Sequence, residues 1–396
     1  MKTLKPYLLL LAAAFFALPL AAQEEGPATA KGAAVDTTGK GYTAAYMIET
    51  GSKRVLLAEN ADTPLPTASM AKMMTALIAM EEIRDGRLKL DTPVTISARA
   101  SKMGGSQIYA KQGQVFPMQT LLAALMIQSA NDAAEAIAEQ IAGSGENFAE
   151  IMNQRAKSLG MTHSNFYDPH GLPNSAAPSM INTASAHDLA ILGMEVMKWP
   201  LLAEYAKTPT MPFSNGTFTA GLTNPNHLIN PGKRDYFPYA TGIKTGYSGP
   251  AGYCVTASAK KGDMEIVAVV MGARSSSGPT SSFGIASRMF SSAFAQYIIH
   301  PAVKKGQVVG SVPVAKGAAA SVNAVAGADV KTLLKRGEEG GIKVGLVPAQ
   351  LTAPVRAGQQ VGTIVVTQNG QQINRVPALA ANAIDKQPWW KALWPF

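Results

Sequence analysis

A serine hydroxyl is a poor nucleophile until a neighbouring base takes its proton, and an amine can do so if it is kept neutral. Ser69 and Lys72 meet that need: three residues apart on a helix, their side chains share one face within hydrogen-bond reach. Burial, or a second cation nearby, would depress the lysine and leave it neutral. At the start of its helix Ser69 would also sit among N–H groups that favour developing negative charge. The flanks fit: Pro64 and Pro66 bound a loop, and Ser69–Gly86, rich in Met, Ala, Leu and Ile, reads as a largely buried helix. Ser258 and Lys261 repeat the spacing where a strand runs into a hairpin, a context without that chemistry.

Two further clusters could serve the same reaction. In Ser129-Ala130-Asn131, the hydroxyl and amide cannot share one face of a regular helix. In a loop between helices both can point into a cleft, the hydroxyl relaying a proton to a leaving group and the amide holding a substrate carbonyl. Ser321 and Asn323 repeat this spacing, and the ordinary use of so short a match is a cap or loop hydrogen bond. Lys244-Thr245-Gly246 is the only such tripeptide in the chain and falls in a predicted strand. There the lysine and hydroxyl could bind a substrate carboxylate, Gly246 would let a substrate backbone approach, and Lys244 would supply the second cation beside Lys72.

The elements that must position these residues can be read from the rest of the chain. Its 396 residues suit two domains with tails, and 47% hydrophobic against 15% charged residues gives ample core and excludes a charge-rich disordered chain. The net charge of +9 comes from scattered Lys and Arg with no nucleic-acid module. It suits an anionic envelope polymer or lipid as well as it suits plain solubility. Strands are predicted over 43–49 and 54–58 around a turn, and over 240–247, 251–260 and 264–272; helices over 118–143, 146–159, 183–198 and 283–299. Strands at both ends of a middle (95 to 230) that is mostly helical predict an α+β fold: an antiparallel sheet flanked by helices, with an inserted all-helical subdomain. Short alternating runs after Pro301 predict a small all-β, sandwich-like domain.

Lys2 and Lys5 before an apolar run from Tyr7 to Ala22 predict a signal peptide (1–22) cleaved after Ala22. A linker (23–40), a catalytic domain (41–300), the β domain (301–383) and an amphipathic segment (384–396) come next. In that last segment Trp389, Trp390, Leu393, Trp394 and Phe396 share one broad face, with Lys386 and Lys391 beside it, a pattern suited to a membrane interface. Cys254 is the single cysteine and reads as a small core residue; the five histidines show no ligand spacing and no glycine-rich phosphate loop follows a strand, so neither a metal nor a nucleotide cofactor is expected.

Each motif is weak alone, but S-x-x-K, S-x-N and K-T-G in this order are the combination of class A β-lactamases and penicillin-binding proteins. The chain resembles low-molecular-mass penicillin-binding proteins of the D-alanyl-D-alanine carboxypeptidase kind. The resemblance lies in Pro66–Thr75, Ser129–Ala134, His170-Gly171-Leu172, Gly242–Tyr247 and Ala251–Tyr253, and extends to the β domain and the C-terminal segment. It implies Ser69, Lys72 and Ser129 as catalytic residues and Asn131, Lys244, Thr245 and Gly246 as substrate-binding residues. It further implies an oxyanion hole of the main-chain N–H groups of Ser69 and Tyr247, with Arg274 either assisting at the carboxylate or standing as a surface arginine. The substrate would be a peptidoglycan stem peptide ending in D-Ala-D-Ala, β-lactams would acylate Ser69, and no cofactor or nucleic acid would take part. The protein would be exported and attached at its C-terminus to the periplasmic face of the cytoplasmic membrane, with the β domain as a spacer.

Departures qualify the resemblance. Tyr247 stands where some relatives carry histidine, which leaves the main-chain donor intact. The segment 97–116 should form a loop at the cleft rim, and His170 reads as a turn residue near the cleft. Class A β-lactamases deacylate with a glutamate, whereas 160–175 contains Asp168 and no glutamate, so efficient β-lactam hydrolysis is not expected and a weak, slow β-lactamase is the alternative left open. A D,D-endopeptidase would use the same residues. A non-catalytic penicillin-binding envelope protein would be acylated and release no D-alanine.

Overall fold

The computed structural model describes residues 41–173, 177–214 and 219–388. The predicted signal peptide, linker and terminal tryptophans lie outside the described residues. Five strands, β1 (Ala44–Glu49), β2 (Val55–Glu59), β3 (Ala240–Ser248), β4 (Gly252–Lys261) and β5 (Met264–Ala273), form one antiparallel sheet in the order β2-β1-β5-β4-β3. All six residues of β1 are buried, so both faces of the sheet are covered. Alternate residues divide between the two faces: Tyr46 and Ile48 join one core, Ala45 and Met47 the other. The first core is closed by α1 (Lys72–Arg84) and α5 (Ala186–Met197), the second by α7 (Ser282–Gln296). Both ends of the domain therefore build one sheet around a helical insert, as the order of elements implied.

The insert carries α2 (Met118–Ala123), α3 (Asn131–Ala142), α4 (Gly145–Ser158) and, after α5, α6 (Pro200–Lys207). The single helix expected over 118–143 is broken. A π-helical turn, Ala124–Gln128, continues from α2, and Ser129 then takes the left-handed conformation. Such wide turns cluster at functional sites because they re-aim the side chains beyond them. Gly143, at φ +79°, ends α3 as expected. The helical middle stops short of 230: Thr210–Ser214 pairs with Thr219–Thr223 as a hairpin, and Pro93–Thr95 pairs with Val115–Pro117. Threonine, valine and phenylalanine favour these pleated segments, but Pro212, Pro93 and Pro117 mask the strand pattern.

The helix expected to reach 299 ends at Gln296, and Tyr297–Val303 becomes a strand paired with Val330–Lys335. β-Branched Ile298 and Ile299 favour this outcome, and Pro301 cannot continue a helix. The expected boundary at 300 thus falls inside a strand. The β domain holds a six-stranded sheet over the core of Val312, Val322, Ile364 and Val366. The second boundary also moves: Ile384 is buried in this core and bridges to Val355, and Lys386 bridges to Gly317. Among the described residues no helix is long and apolar enough to cross a membrane.

Candidate active site

Ser69 lies in a tight 3-10 turn, Ala68–Ala71, that runs straight into α1. Lys72 is fully buried, which a lysine seldom is unless its charge is removed or paired. Its Nζ is 2.8 Å from Ser69 Oγ and donates to the His170 carbonyl at 2.7 Å. Burial, and then the charge of Lys244, hold the Lys72 amine well below its usual range, against the opposing pull of Asp168 and Asp132. A neutral amine here can keep one N–H on the His170 carbonyl and offer its lone pair to the serine proton.

The carbonyl that orients Lys72 belongs to a segment held by polar contacts. Thr75 Oγ1 donates to the Pro169 carbonyl at 2.7 Å. Asn182 accepts from the Tyr167 and Asp168 amides, returns an N–H to the Asp168 carbonyl, and through its own carbonyl holds Thr67 N. Burial alone would raise the Asp168 carboxyl, but His170 and the amides of Gly171 and His170 hold it below its usual range. Gly171 makes the closest approach: at φ +82°, a Cβ there would lie 1.9 Å from the Ala68 carbonyl oxygen. Gly171→Ala should therefore cost about 2–4 kcal/mol of stability and weaken acylation together, read as a fall in melting temperature alongside slower labelling by a fluorescent penicillin.

Across the cleft, Ser129 is held at φ 62°, and Ala68 at φ 45° flanks the nucleophile. Non-glycine residues in this region cost about 1–3 kcal/mol each and persist where the surroundings impose them. The imposition on Ser129 comes from α3: Asn131 N donates to the Ser106 carbonyl at 2.7 Å and its Nδ2 to the Gly104 carbonyl at 2.6 Å. Asp132 accepts the amides of Ile108 and Ala110 at 3.1 Å. Burial raises its carboxyl and those amides oppose the rise. The segment 97–116 is thus clasped to α3, and Gly105 and Ser106 line the cleft. Asn131 keeps a second N–H, and its buried Oδ1 has no partner among the described residues.

β3 is the last strand of its sheet, so its outer edge offers unpaired main-chain groups. Lys244 is buried, pushed down to about 7 by that burial, and donates to the Thr245 carbonyl at 3.2 Å. A Cβ on Gly246 would sit 2.8 Å from the Thr67 carbonyl oxygen, so glycine lets the strand close against the Ser69 turn. Tyr247 is exposed and stacks on Tyr253 at 4.4 Å. Ser69, Ser129, Asn131, Thr245, Gly246 and Tyr247 all line one cleft of about 380 Å³, with Lys72 and Lys244 buried behind its wall. Arg274 is exposed just past β5 and is not among the lining residues. No group of His, Cys, Asp and Glu able to hold a metal occurs among the described residues. Sequence reasoning missed the parts played by the His170 carbonyl, Asn182 and Asp132. Only the dense polar turn Asp168–Gly171 gave any signal, because carbonyls and loop contacts leave no residue-type pattern.

Similarity to known proteins spans most of the chain. Residues 33–275 match the family described as D-alanyl-D-alanine carboxypeptidase, and residues 299–386 match the penicillin-binding protein 5 C-terminal domain. The chain is 35% identical over 345 residues to D-alanyl-D-alanine carboxypeptidase DacF of Bacillus subtilis, covering 86% of this chain and 85% of that protein. A peptidoglycan synthesis regulatory factor (PBP3) from Streptococcus pneumoniae shares the fold, with a TM-score of 0.74 at 24% identity over 87% of this chain and 99% of that one. Penicillin-binding protein D2 of Listeria monocytogenes, solved in an ampicillin-bound form, aligns with a TM-score of 0.56 at 25% identity over 64% of this chain and 98% of its own.

Proposed function

The chain belongs to the D-alanyl-D-alanine carboxypeptidase family, and on that footing we propose that Ser69 is its nucleophile and Lys72 the base that activates it. The enzyme is a serine-type carboxypeptidase and penicillin-binding protein acting on peptidoglycan peptides. The observation that carries the assignment is the fully buried Lys72 amine, 2.8 Å from Ser69 Oγ.

Lys72 takes the Ser69 proton as Oγ bonds to the carbonyl carbon between the two D-alanines. The oxyanion is received by the main-chain N–H groups of Ser69 and Tyr247. Lys244 and Thr245 hold the terminal carboxylate, Asn131 the peptide, and Gly246 the close approach along β3. When the tetrahedral intermediate collapses, the C–N bond breaks and the D-alanine amine takes its proton through Ser129. Water, deprotonated by the same Lys72 amine, then cleaves the ester and restores Ser69. A β-lactam opens on Ser69 by the same first step, and its leaving nitrogen stays tethered. Arg274 enters only as an outer attraction for an anionic peptide. The test is D-alanine release from a pentapeptide ending in D-Ala-D-Ala. Release only from cross-linked muropeptides would make the chain an endopeptidase, and penicillin labelling without release from either would make it a non-catalytic binder.

The N-terminal pattern supports export, and the Trp389–Trp394 pattern supports peripheral attachment to the periplasmic face of the cytoplasmic membrane, with the β domain as spacer. Since Ile384 and Lys386 belong to the β domain, the segment to remove begins after Pro388. The chain ending at Pro388 should move from the membrane to the soluble fraction with unchanged D-alanine release. Retention in the membrane fraction would sink the attachment.

A further inference from the structure

A substrate ending in a carboxylate brings a full negative charge into a cleft where Lys244 and Thr245 are the groups so far assigned to meet it. Among the lining residues there is no arginine or exposed lysine, and Lys244 lies buried behind the wall with its amine spending a hydrogen bond on the Thr245 carbonyl. Apart from two tyrosines and Cys254, whose thiol burial pushes up to about 11, the one ionisable side chain lining the cleft among the described residues is His227. The carboxypeptidase mechanism above leaves it unused.

His227 is built into place. Its Nδ1 lies 3.2 Å from Asp235 Oδ2, and that carboxylate is itself fixed by the Gly278 amide at 3.1 and 3.3 Å. The ring stacks on Phe283 with centroids 4.7 Å apart. The imidazole is therefore held at one nitrogen and on one face, while Nε2 makes no hydrogen bond among the described residues and the side chain remains 25% exposed. A carboxylate on Nδ1 directs a proton to that nitrogen, and the imidazolium form then presents Nε2–H as a charged donor. Ser282 and Phe283, the first residues of α7, line the same wall, so the positive end of a 15-residue helix supports an anion there.

We propose that His227, oriented by Asp235, forms the cationic wall of the subsite that takes the terminal D-alanine carboxylate, which makes it a specificity-determining residue of this reaction. Asp235 is its positioning residue. The proposal rests on the Ser69 reading and adds to Lys244 and Thr245 a partner at the cleft surface.

The experiment compares kcat/KM for an acyl-D-Ala-D-Ala peptide with that for the same peptide ending in an amide, in wild type, His227→Gln and Asp235→Asn. Penicillin G and its methyl ester, read as Ser69 acylation by mass, make a second pair that needs no turnover. Wild type should prefer the free acid in both pairs. His227→Gln should lower kcat/KM on the acid by roughly 10–100-fold, mainly through KM, and leave the amide and ester nearly unchanged. Asp235→Asn should fall in between. An unchanged acid-to-amide ratio in His227→Gln, or an equal loss on both members of each pair, overturns the proposal, the latter marking a purely structural histidine. Failure of wild type to be acylated at Ser69 would instead overturn the nucleophile assignment beneath it.

Discussion

Ser69→Ala should lower D-alanine release by about a millionfold, the loss typical when the nucleophile of an acyl-transfer unit is removed. The variant should also fail to form a covalent adduct with penicillin while still binding it reversibly, because Thr245, Asn131 and the β3 edge remain. Melting temperature should hardly move. Ser69 is half-buried and the one hydrogen bond of its hydroxyl among the described residues is with the Lys72 amine, so little packed volume is lost. Mass spectrometry of the intact protein after penicillin, alongside D-alanine assay, checks both. An adduct persisting in Ser69→Ala would move the nucleophile to another hydroxyl that lines the cleft, such as Ser129.

The two buried lysines predict a pH profile in which rate and stability respond to the same groups. Lys72 must be neutral to act, so kcat/KM should rise as pH climbs through its lowered value. Lys244 should be charged to hold a carboxylate, so kcat/KM should fall as pH climbs past about 7. Because the two amines repel, the limbs belong to the pair rather than to either residue. Lys72→Met should cost roughly a hundred- to ten-thousandfold in acylation, and Lys244→Met should remove the alkaline limb and raise KM. For stability the sign is opposite to that of a paired lysine. Between about 7 and 10.5 the unfolded chain holds a proton on Lys244 that the folded chain does not, so this group makes stability rise with pH across that window. Lys244→Met should flatten the rise and melt higher than wild type near pH 7. A melting temperature below wild type there would show that the buried amine is paired rather than desolvated.

How far the sequence reveals all this depends on range. The Ser69–Lys72 pair is legible because both members lie on one helical turn, and Lys244-Thr245-Gly246 because it interrupts a β-former run. The sheet assembled from both chain ends is legible from the order of elements. The break at Ser129 is not: Ala124–Gln128 has helical composition, and the bend comes from the grip of α3 on Gly104, Ser106 and Ile108, more than twenty residues earlier in the chain. The same holds for the His170 carbonyl on Lys72, a contact that any residue type at that position could make. His227 has no metal-like spacing to mark it in the sequence, and its partner Asp235 and its floor Phe283 come from separate segments.

One junction ties the two domains more closely than their compositions indicate. α7 ends at Gln296 and the next strand begins at Tyr297, with no residue of slack between them. Leu333 of the β domain is buried in the same cluster as Phe290 and Phe294 of α7, and Arg336 reaches back to the carbonyls of Phe294 and Ala295. Swinging one domain against the other would have to open that cluster to water, so the junction behaves as a stiff bracket rather than a hinge. Thermodynamically, the catalytic domain borrows part of its second core from the β domain. Damage to the distant sheet is thereby felt as lost stability under β5, the strand that supports β4 and, through it, the substrate edge.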